Sequence, residues 1–180
     1  RLESAEPTRQ QRLVLTEPHE EGLAPTGIRF LPVRHADHRQ RSVEEAERVD
    51  RIYRSLLGQR WVNEKGETRE IGVADILVVS PYNMQVNLLS RTLPPGARVG
   101  TVDKFQGQEA AAVLISMAAS SGATASRGVT FLLAADRLNV ALSRARCWCG
   151  VVCSSELIGT PCHSIEQMSL VSTFARLLRG

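Results

Sequence analysis

Two segments of this chain combine apolar runs with the kinds of polar side chain that bind nucleotides. Thr101–Glu109 contains an aspartate, two glutamines, a glycine and a glutamate close together. Arg137–Arg146 has an apolar helical pattern that ends on two arginines. A buried structural role would not require these groups, so the two segments predict half of a nucleotide site. The phosphate-binding pattern G-x-x-x-x-G-K-[ST], which the other half would need, occurs nowhere in the sequence.

Arg144 is the residue of these segments best suited to act on a phosphate. It lies three positions after Ala141 in the helical pattern, next to the apolar face. A guanidinium in that place needs an anionic partner or access to solvent, because an unpaired buried charge is costly. One interpretation is an arginine finger, which stabilises the charge on a transferred γ-phosphoryl group. The other is a structural ion pair, for which the candidate partners are Asp136, Asp103 and Glu109.

The stretch Gln106–Glu109 offers hydrogen-bond donors, a flexible backbone and one acid. Gly107 permits a tight turn and a close approach of the backbone to a ligand. Glu109 has the chemistry to accept a hydrogen bond from a ribose hydroxyl or to pair with an arginine. The structural alternative is a capped loop, in which Gln106 and Glu109 bond to neighbouring backbone groups.

The composition is that of an ordinary globular protein and does not indicate strong binding to polyanions. The length of 180 residues fits one α/β domain and is too short for two of full size. The net charge is only +3, and aromatic residues make up 4% of the chain, which disfavours a base-stacking platform. Lys65 and Lys104 are the only lysines, so nearly all of the basic residues are arginines. The codon bias of a GC-rich genome explains this excess of arginine as well as phosphate recognition does.

Several features bear on where the protein works. No apolar run approaches the roughly 20 residues that span a bilayer, and the N-terminus lacks a signal-peptide pattern, so we expect no membrane partner. Cys147, Cys149 and Cys153 follow strand spacing on one face and lack the C-x-x-C pattern of metal sites. They predict buried free thiols, no metal ligands and a cytoplasmic location. The chain begins at Arg1 without an initiator Met, so we expect it to be part of a longer protein.

The chain beyond residue 26 alternates apolar runs with helical patterns, whereas residues 1–26 form a polar lead-in or linker with at most a short strand at Leu13–Leu15. Ser42 and Glu45 form a capping-box pattern before a helix, and Ser80-Pro81 is typical of the start of another. A hairpin is expected around Lys65-Gly66. The predicted strands are 27–33, 76–80, 98–102, 112–116 and 147–153, and the predicted helices are 43–57, 80–93, one from about 138, and 165–178.

This alternation predicts an α/β fold for residues 27–180, with a parallel sheet sandwiched by helices. In such sheets, functional residues collect at the carboxyl ends of the strands. Ser80, Thr101–Gln106 and Ser116 are expected at those ends. We therefore predict that the two motifs lie where this architecture places a site.

Three motifs in this chain resemble those of superfamily 1 helicases. Thr101–Glu109 resembles their motif V, Arg137–Arg146 their motif VI, and Ser80–Val86 the strand-and-turn segment before motif V. The forms T-V-D-x-F-Q-G-x-E and R-L-N-V-A-L-S-R-A-R are similar to the Upf-like subgroup, which tends to move 5′ to 3′. The resemblance covers residues 27–155. It implies the second, C-terminal RecA-like domain of a two-domain motor, with a P-loop NTPase fold but no P-loop of its own.

The resemblance also implies roles for individual residues. Arg144 matches the arginine finger, and Gln106 matches a catalytic position that links the ATP cleft to the nucleic-acid groove. Gly107 and Glu109 match residues near the γ-phosphate and the ribose. Arg146 matches either a phosphate contact at a helix end or a salt bridge. The residues that match contacts to a single-strand backbone are Ser80, Tyr82, Asn83 and Thr101.

The implied cofactor is ATP with Mg²⁺, bound between this domain and an N-terminal RecA-like domain that carries the phosphate loop and the metal ligands. Single-stranded DNA is the implied nucleic acid, with RNA as the alternative. Similar bacterial proteins join such a helicase to a RecB-type nuclease, which is a further expected partner domain. The rival hypothesis is a RecA-like module that binds nucleic acid or protein without using ATP. A nucleoside kinase or GTPase is excluded, because it needs the phosphate loop in the same domain.

Overall fold

The fold is built around a parallel β-sheet with helices on both sides. It is seen in a computed structural model that describes residues 10–123, 125 and 127–179, with the backbone alone for residues 135, 136, 178 and 179. The described strands are β1 (Arg12–Val14), β2 (Gly27–Pro32), β3 (Arg60–Val62), β4 (Thr68–Glu70), β5 (Ile76–Val79), β6 (Arg98–Gly100), β7 (Ala110–Ser116) and β8 (Ala145–Cys153). The order across the central sheet is β2-β8-β7-β5-β6, and all of its neighbouring strands run parallel.

Four of the described helices lie in the connections between these strands, and a fifth, α5, follows β8. They are α1 (Val43–Leu57), α2 (Asn83–Thr92), α3 (Gly128–Leu132), α4 (Ala135–Ser143) and α5 (Ile165–Arg179). Short 3-10 turns lie at Val73–Asp75, Val102–Phe105 and Ser155–Leu157.

The central sheet is buried on both faces. Ile76 and Val78 of β5 belong to one apolar cluster with residues of α1 and α2. The alternate residues Leu77 and Val79 belong to a second cluster with residues of α3, α4 and α5. A strand whose two faces are both apolar needs a layer of helices on each side. The prediction of an α/β fold with a parallel sheet sandwiched by helices is therefore confirmed.

A small antiparallel sheet joins the start of the described chain to the domain. Its order is β1-β3-β4, and β3 and β4 form a hairpin around Lys65-Gly66. Leu13 and Leu23 are buried in the cluster that contains α1. The predicted hairpin and the short strand near residue 13 are confirmed. The boundary between a lead-in and the domain at residue 26 stays a prediction.

Helix α1 begins where the sequence predicts, but its capping box is only half formed. The Ser42 Oγ accepts a hydrogen bond from the Glu45 amide at 3.1 Å. The Glu45 carboxylate does not return this bond, because the Ser42 amide donates to Gln85 Oε1 at 2.8 Å. Instead, the buried carboxylate contacts His35 Nε2, Ser116 Oγ and the Ala118 amide. These hydrogen bonds hold the first turn of α1 against the end of β7.

Helix α2 begins later than the sequence indicates. The Ser80 amide donates to the Gly100 carbonyl at 3.1 Å, which extends the pairing of β5 with β6 by one residue. The Ser80 Oγ accepts a bond from the Tyr82 amide at 3.4 Å. The helix starts at Asn83, with Tyr82 as its N-cap residue and no side-chain cap. The prediction that Ser80 caps the helix and Pro81 opens it is wrong, because residue 80 still belongs to the strand pairing.

Helix α4 also differs from the prediction, because it ends before Arg144 and Arg146, the two arginines at the end of the second motif. The helix begins at Ala135 rather than near residue 138 and ends at Ser143. Arg144 is its C-cap residue. Arg146 is the second residue of β8. The placement of Arg146 at a helix end is therefore wrong.

A β-bulge near the start of β8 changes the direction of its side chains. Ala110 of β7 pairs with Ala145, but Ala112 pairs with Trp148, so β8 contains one extra residue here. As a result, Cys147 joins the cluster of Trp148. Cys149 and Cys153 belong to the cluster on the other face. The prediction that three cysteines share a strand face is wrong for Cys147, because the bulge breaks the two-residue period.

Candidate functional site

The residues singled out in the sequence lie at two opposite edges of the central sheet. Ser80 follows β5 and Thr101 follows β6, so both lie at the carboxyl edge, where the strands end. Glu109 directly precedes β7, and Arg144 directly precedes β8, so both lie at the amino edge, where the strands begin. The expectation that both motifs lie at the carboxyl ends is wrong for this second group. The reason is that Thr101–Glu109 crosses the height of the sheet before β7 starts.

Arg146 forms two ion pairs at the amino edge. Its Nε lies 3.1 Å from Glu109 Oε2, and its Nη1 lies 3.1 Å from Glu64 Oε2. Glu64 comes from the hairpin between β3 and β4, and the bulge in β8 lies next to Arg146. Of the two interpretations of Arg146, the structure shows the salt bridge. Glu109 likewise pairs with an arginine instead of capping a backbone group.

Arg144 has a different set of partners from its neighbour. Its Nε donates to the Val140 carbonyl at 3.1 Å, and its Nη1 lies 3.5 Å from the Gln108 carbonyl. Among the described side chains it forms no ion pair, and Asp136, one candidate partner, has a side chain outside that description. The half-buried guanidinium is therefore held in place by two carbonyl oxygens, and no described carboxylate pairs with it.

The segment between the two edges is anchored by one buried ring. Phe105 closes the 3-10 turn and is 3% exposed, whereas Gln106 and Gly107 are exposed. Gly107 has a φ of 74°, and no atom lies within 4 Å of the place that a Cβ would take, so the turn needs glycine for its backbone conformation and not for space. The Gln108 side chain accepts a bond from Arg98 at the start of β6. Gln108, to which the sequence alone assigns no role, thus fixes the segment to the amino edge.

Four residues were predicted to contact a nucleic-acid backbone at the carboxyl edge. Ser80 and Tyr82 are buried, at 0% and 4% exposed. Asn83 is exposed and Thr101 is half-buried, so these two present their side chains to a ligand more directly. Burial raises the pKa of Tyr82 to about 12, against a smaller opposing effect of the Arg127 charge. Tyr82 is therefore a neutral phenol that packs at 5.9 Å against the ring of Phe131.

A pocket of about 220 Å³ opens at this carboxyl edge. Asn83, Thr101 and Asp103 line it together with three residues that were not predicted as site residues: Arg127, Phe131 and Arg137. Arg137 opens the second motif, which was a usable signal. No local pattern shows that Arg127, ten positions earlier, approaches the same ring.

The remaining chemistry of the described residues is limited. In the part of the chain that the structure describes, no three His, Cys, Asp or Glu side chains are grouped as metal ligands. No described helix has the length and apolar character needed to cross a membrane. The cysteines are free, and burial raises the pKa of Cys147 and of Cys149 to about 12. These thiols are protonated at neutral pH and are not nucleophiles.

Known proteins resemble part of this chain. DNA-binding protein SMUBP-2 of Mus musculus is 39% identical over 92 residues, which are 49% of this chain and 9% of that protein. DNA polymerase alpha-associated DNA helicase A of Schizosaccharomyces pombe is 41% identical over 75 residues, 40% of this chain and 11% of that protein. DNA replication ATP-dependent helicase/nuclease JHS1 of Arabidopsis thaliana is 31% identical over 89 residues, 49% of this chain and 6% of that protein.

This chain therefore spans only a small part of the length of these relatives. A family model described as AAA domain, AAA_12, matches residues 4–156. The matched residues include the whole central sheet and both motifs. The parallel sheet flanked by helices agrees with a RecA-like fold. Because the family model matches most of the chain, this protein belongs to the AAA domain family AAA_12.

Proposed function

We propose that this chain is the C-terminal motor domain of an ATP-dependent DNA helicase or translocase. In this proposal, ATP with Mg²⁺ binds at the amino edge of the central sheet, in a cleft shared with an N-terminal RecA-like domain of the same protein. That partner domain carries the phosphate loop and the metal ligands. Two relatives, a DNA helicase and an ATP-dependent helicase/nuclease, support this activity.

The environment of Arg144 is the observation that carries the proposal. An arginine finger must be positioned before the reaction and must keep its charge for the γ-phosphoryl group. Arg144 meets both conditions, because the carbonyls of Val140 and Gln108 hold it and no described carboxylate neutralises it. Arg146, two residues later, is already bound to Glu64 and Glu109. A finger of this kind contributes about 10³–10⁵ to the rate of phosphoryl transfer.

The other residues at the amino edge receive supporting roles. Gly107 brings its backbone close to the γ-phosphate, and Glu109 accepts a hydrogen bond from the ribose. Arg146 Nε lies 3.1 Å from Glu109 Oε2, so we assign Arg146 to positioning this carboxylate and to contact with a phosphate. Gln106 lies beside Gly107 on the exposed turn.

The course of Thr101–Glu109 supports coupling between ATP and nucleic acid. The segment starts at the carboxyl edge, where Asn83 and Thr101 are accessible, and ends at the amino edge beside Arg144 and Arg146. In the proposal, single-stranded DNA binds at the first edge and ATP at the second. A change at Gln106 or Gly107 on nucleotide binding is then transmitted through the buried Phe105 to the strand-binding edge.

DNA is favoured over RNA by the relatives, which include a DNA-binding protein, a DNA helicase and a DNA replication helicase/nuclease. The helicase/nuclease among them supports a nuclease domain elsewhere in the complete protein. The Upf-like subgroup and a role in DNA repair belong to the same proposal. The buried free thiols favour a cytoplasmic location.

The shared cleft is tested by comparing the complete protein with the purified chain 1–180. We expect the complete protein to hydrolyse ATP, with stimulation by single-stranded DNA that exceeds the stimulation by RNA of the same length. The chain 1–180 should be folded by circular dichroism and should show no appreciable hydrolysis. Robust turnover by 1–180 would contradict the proposal. Nucleic-acid binding by the complete protein without any ATP hydrolysis would favour the rival, a non-catalytic binding module.

A further inference from the structure

An aromatic ring flanked by two arginines lies at the carboxyl edge, outside the residues that have been given a role. The guanidinium carbon of Arg127 lies 4.3 Å from the centroid of the Phe131 ring, and that of Arg137 lies 4.5 Å from it. Arg127 precedes α3, Phe131 is part of α3, and Arg137 is part of α4. Two arginines from separate parts of the chain therefore place their positive charges beside this ring.

The charges of these two arginines are not neutralised within the described part of the chain. No ion pair between described side chains includes Arg127 or Arg137, and both side chains are exposed. Cation–π contacts at exposed positions are weak, so the ring does not offset the charge of either arginine. An anion beside these side chains would accept charge-assisted hydrogen bonds from their guanidinium groups.

Both arginines line the pocket of about 220 Å³ that also contains Asn83 and Thr101. Asp103 is the one carboxylate among the described lining residues, so the positive charges of the pocket outnumber the negative ones. The pocket is open at the end of β5 and β6, and Arg144 lies at the opposite edge of the sheet. This separation distinguishes the pocket from the cleft to which we assign ATP.

We infer that Arg127 and Arg137, positioned by Phe131, form a subsite for a phosphodiester group of single-stranded nucleic acid. The inference rests on the proposed function, since it places the strand along Asn83 and Thr101. The planar fork of each guanidinium matches two oxygens of one phosphate, which a lysine does not. Phosphate groups of the backbone carry no base identity, so the subsite contributes to affinity and not to sequence preference.

The test measures binding of the complete protein to a fluorescent oligo(dT), at several salt concentrations between about 50 and 200 mM. The variants are Arg127→Ala, Arg137→Ala, their combination and Arg137→Lys. Arg91→Ala is the matched control, because Arg91 is an exposed arginine at the far end of α2, near the amino edge. Thermal unfolding of each variant and its KM for ATP are measured in the same samples.

We expect each alanine variant to raise the Kd for oligo(dT) about tenfold, the usual effect of losing a charged hydrogen-bonding partner. The slope of log K against log salt should fall by about 0.7 for each phosphate that the variant no longer neutralises. Arg137→Lys should lose less affinity than Arg137→Ala and keep the slope, since its charge remains. Arg91→Ala and the KM for ATP should be unchanged.

Three results would overturn the subsite. Unchanged Kd and salt slope, with a lower unfolding temperature, would make the three residues a structural clamp between α3 and α4. A raised KM for ATP with unchanged oligo(dT) binding would assign the pocket to free nucleotide. A loss of affinity without any change in the salt slope would exclude a phosphate contact. Failure of the proposed function is distinguishable, because absent ATP hydrolysis in the wild type leaves the binding comparison fully interpretable.

Discussion

Replacing Glu45 is predicted to destabilise the protein more than any exposed acid would. The Glu45 carboxylate is fully buried and lies 2.8 Å from His35 Nε2, 2.6 Å from Ser116 Oγ and 2.9 Å from the Ala118 amide. These contacts join α1 to the end of β7 and to the loop after β2. Ala118 has a φ of 58°, which is strained for a residue with a Cβ, so its amide bond to Glu45 also fixes that conformation.

The size of the effect follows from the groups left without a partner. The carboxylate contacts three buried polar groups. Each buried donor left unsatisfied costs about 1–3 kcal/mol, and these contributions overlap. We expect Glu45→Ala to lower the free energy of unfolding by about 4 kcal/mol, or the melting temperature by roughly 8–16 °C. Glu45→Gln retains one acceptor oxygen and should lose about half as much.

Urea denaturation followed by tryptophan fluorescence measures this difference, because Trp61 and Trp148 are both buried and report on unfolding. Glu47→Ala is the matched control: it is an exposed glutamate on the same helix and should change stability by less than about 0.5 kcal/mol. A loss of less than about 1 kcal/mol in the free energy of unfolding of Glu45→Ala would show that the contacts of this carboxylate do not stabilise the fold.

Two further predictions concern the backbone and the pH dependence. Gly107→Ala should lower the free energy of unfolding, measured by urea denaturation, by about 1–2 kcal/mol, because φ is 74° at this position. The control Gly58→Ala, at a φ of −88°, should leave the free energy of unfolding unchanged. Equal losses in the two variants would contradict a role for the backbone conformation of Gly107. Burial raises the pKa of Cys147 and Cys149 from 9.0 to about 12. Since each folded-state pKa lies above its unfolded-state value, stability should be intact below pH 9 and should fall toward pH 12, by about 1.4 kcal/mol per pH unit for each thiol. When the free energy of unfolding is measured at a series of pH values, its slope against pH should be smaller for Cys149→Ala than for wild type. A slope equal to that of wild type would count against the burial of this thiol.

The parts of the fold that the sequence predicted are those set by local pattern. The run Ile76–Val79 is apolar at every position, which marks a strand buried on both faces, and it forms one. The helix after Ser42 and the hairpin around Lys65-Gly66 likewise follow from caps and turn residues. Each of these signals acts within a few residues of the element that it specifies.

The parts that were missed depend on contacts between distant residues. Ser80 looks like a helix cap, but its amide bonds to Gly100 on the neighbouring strand. The bulge that redirects Cys147 exists only because β7 and β8 pair with a shifted register. Glu64, the second partner of Arg146, is brought in by the hairpin from 82 positions away. No pattern within either motif encodes these pairings.

Local sequence pattern also does not predict that the motif residues divide between two opposite edges of the sheet. The rule that sites form at carboxyl ends describes Ser80 and Thr101 correctly. It does not describe Glu109 and Arg144, because each of them immediately precedes its strand instead of following it. The candidate residues were therefore identifiable from type and spacing, whereas their arrangement required the order and direction of the strands.

In the proposed mechanism, Arg144 acts on the γ-phosphoryl group of ATP bound in a shared cleft. The most direct measurement compares single-turnover ATP hydrolysis and nucleotide affinity in the complete protein for wild type and Arg144→Ala, with Arg176→Ala as an exposed-arginine control. If Arg144 is the arginine finger, the hydrolysis rate of Arg144→Ala should fall about 10³-fold or more, with the Kd for ATP changed by only a few-fold. A hydrolysis rate within a few-fold of wild type would contradict it.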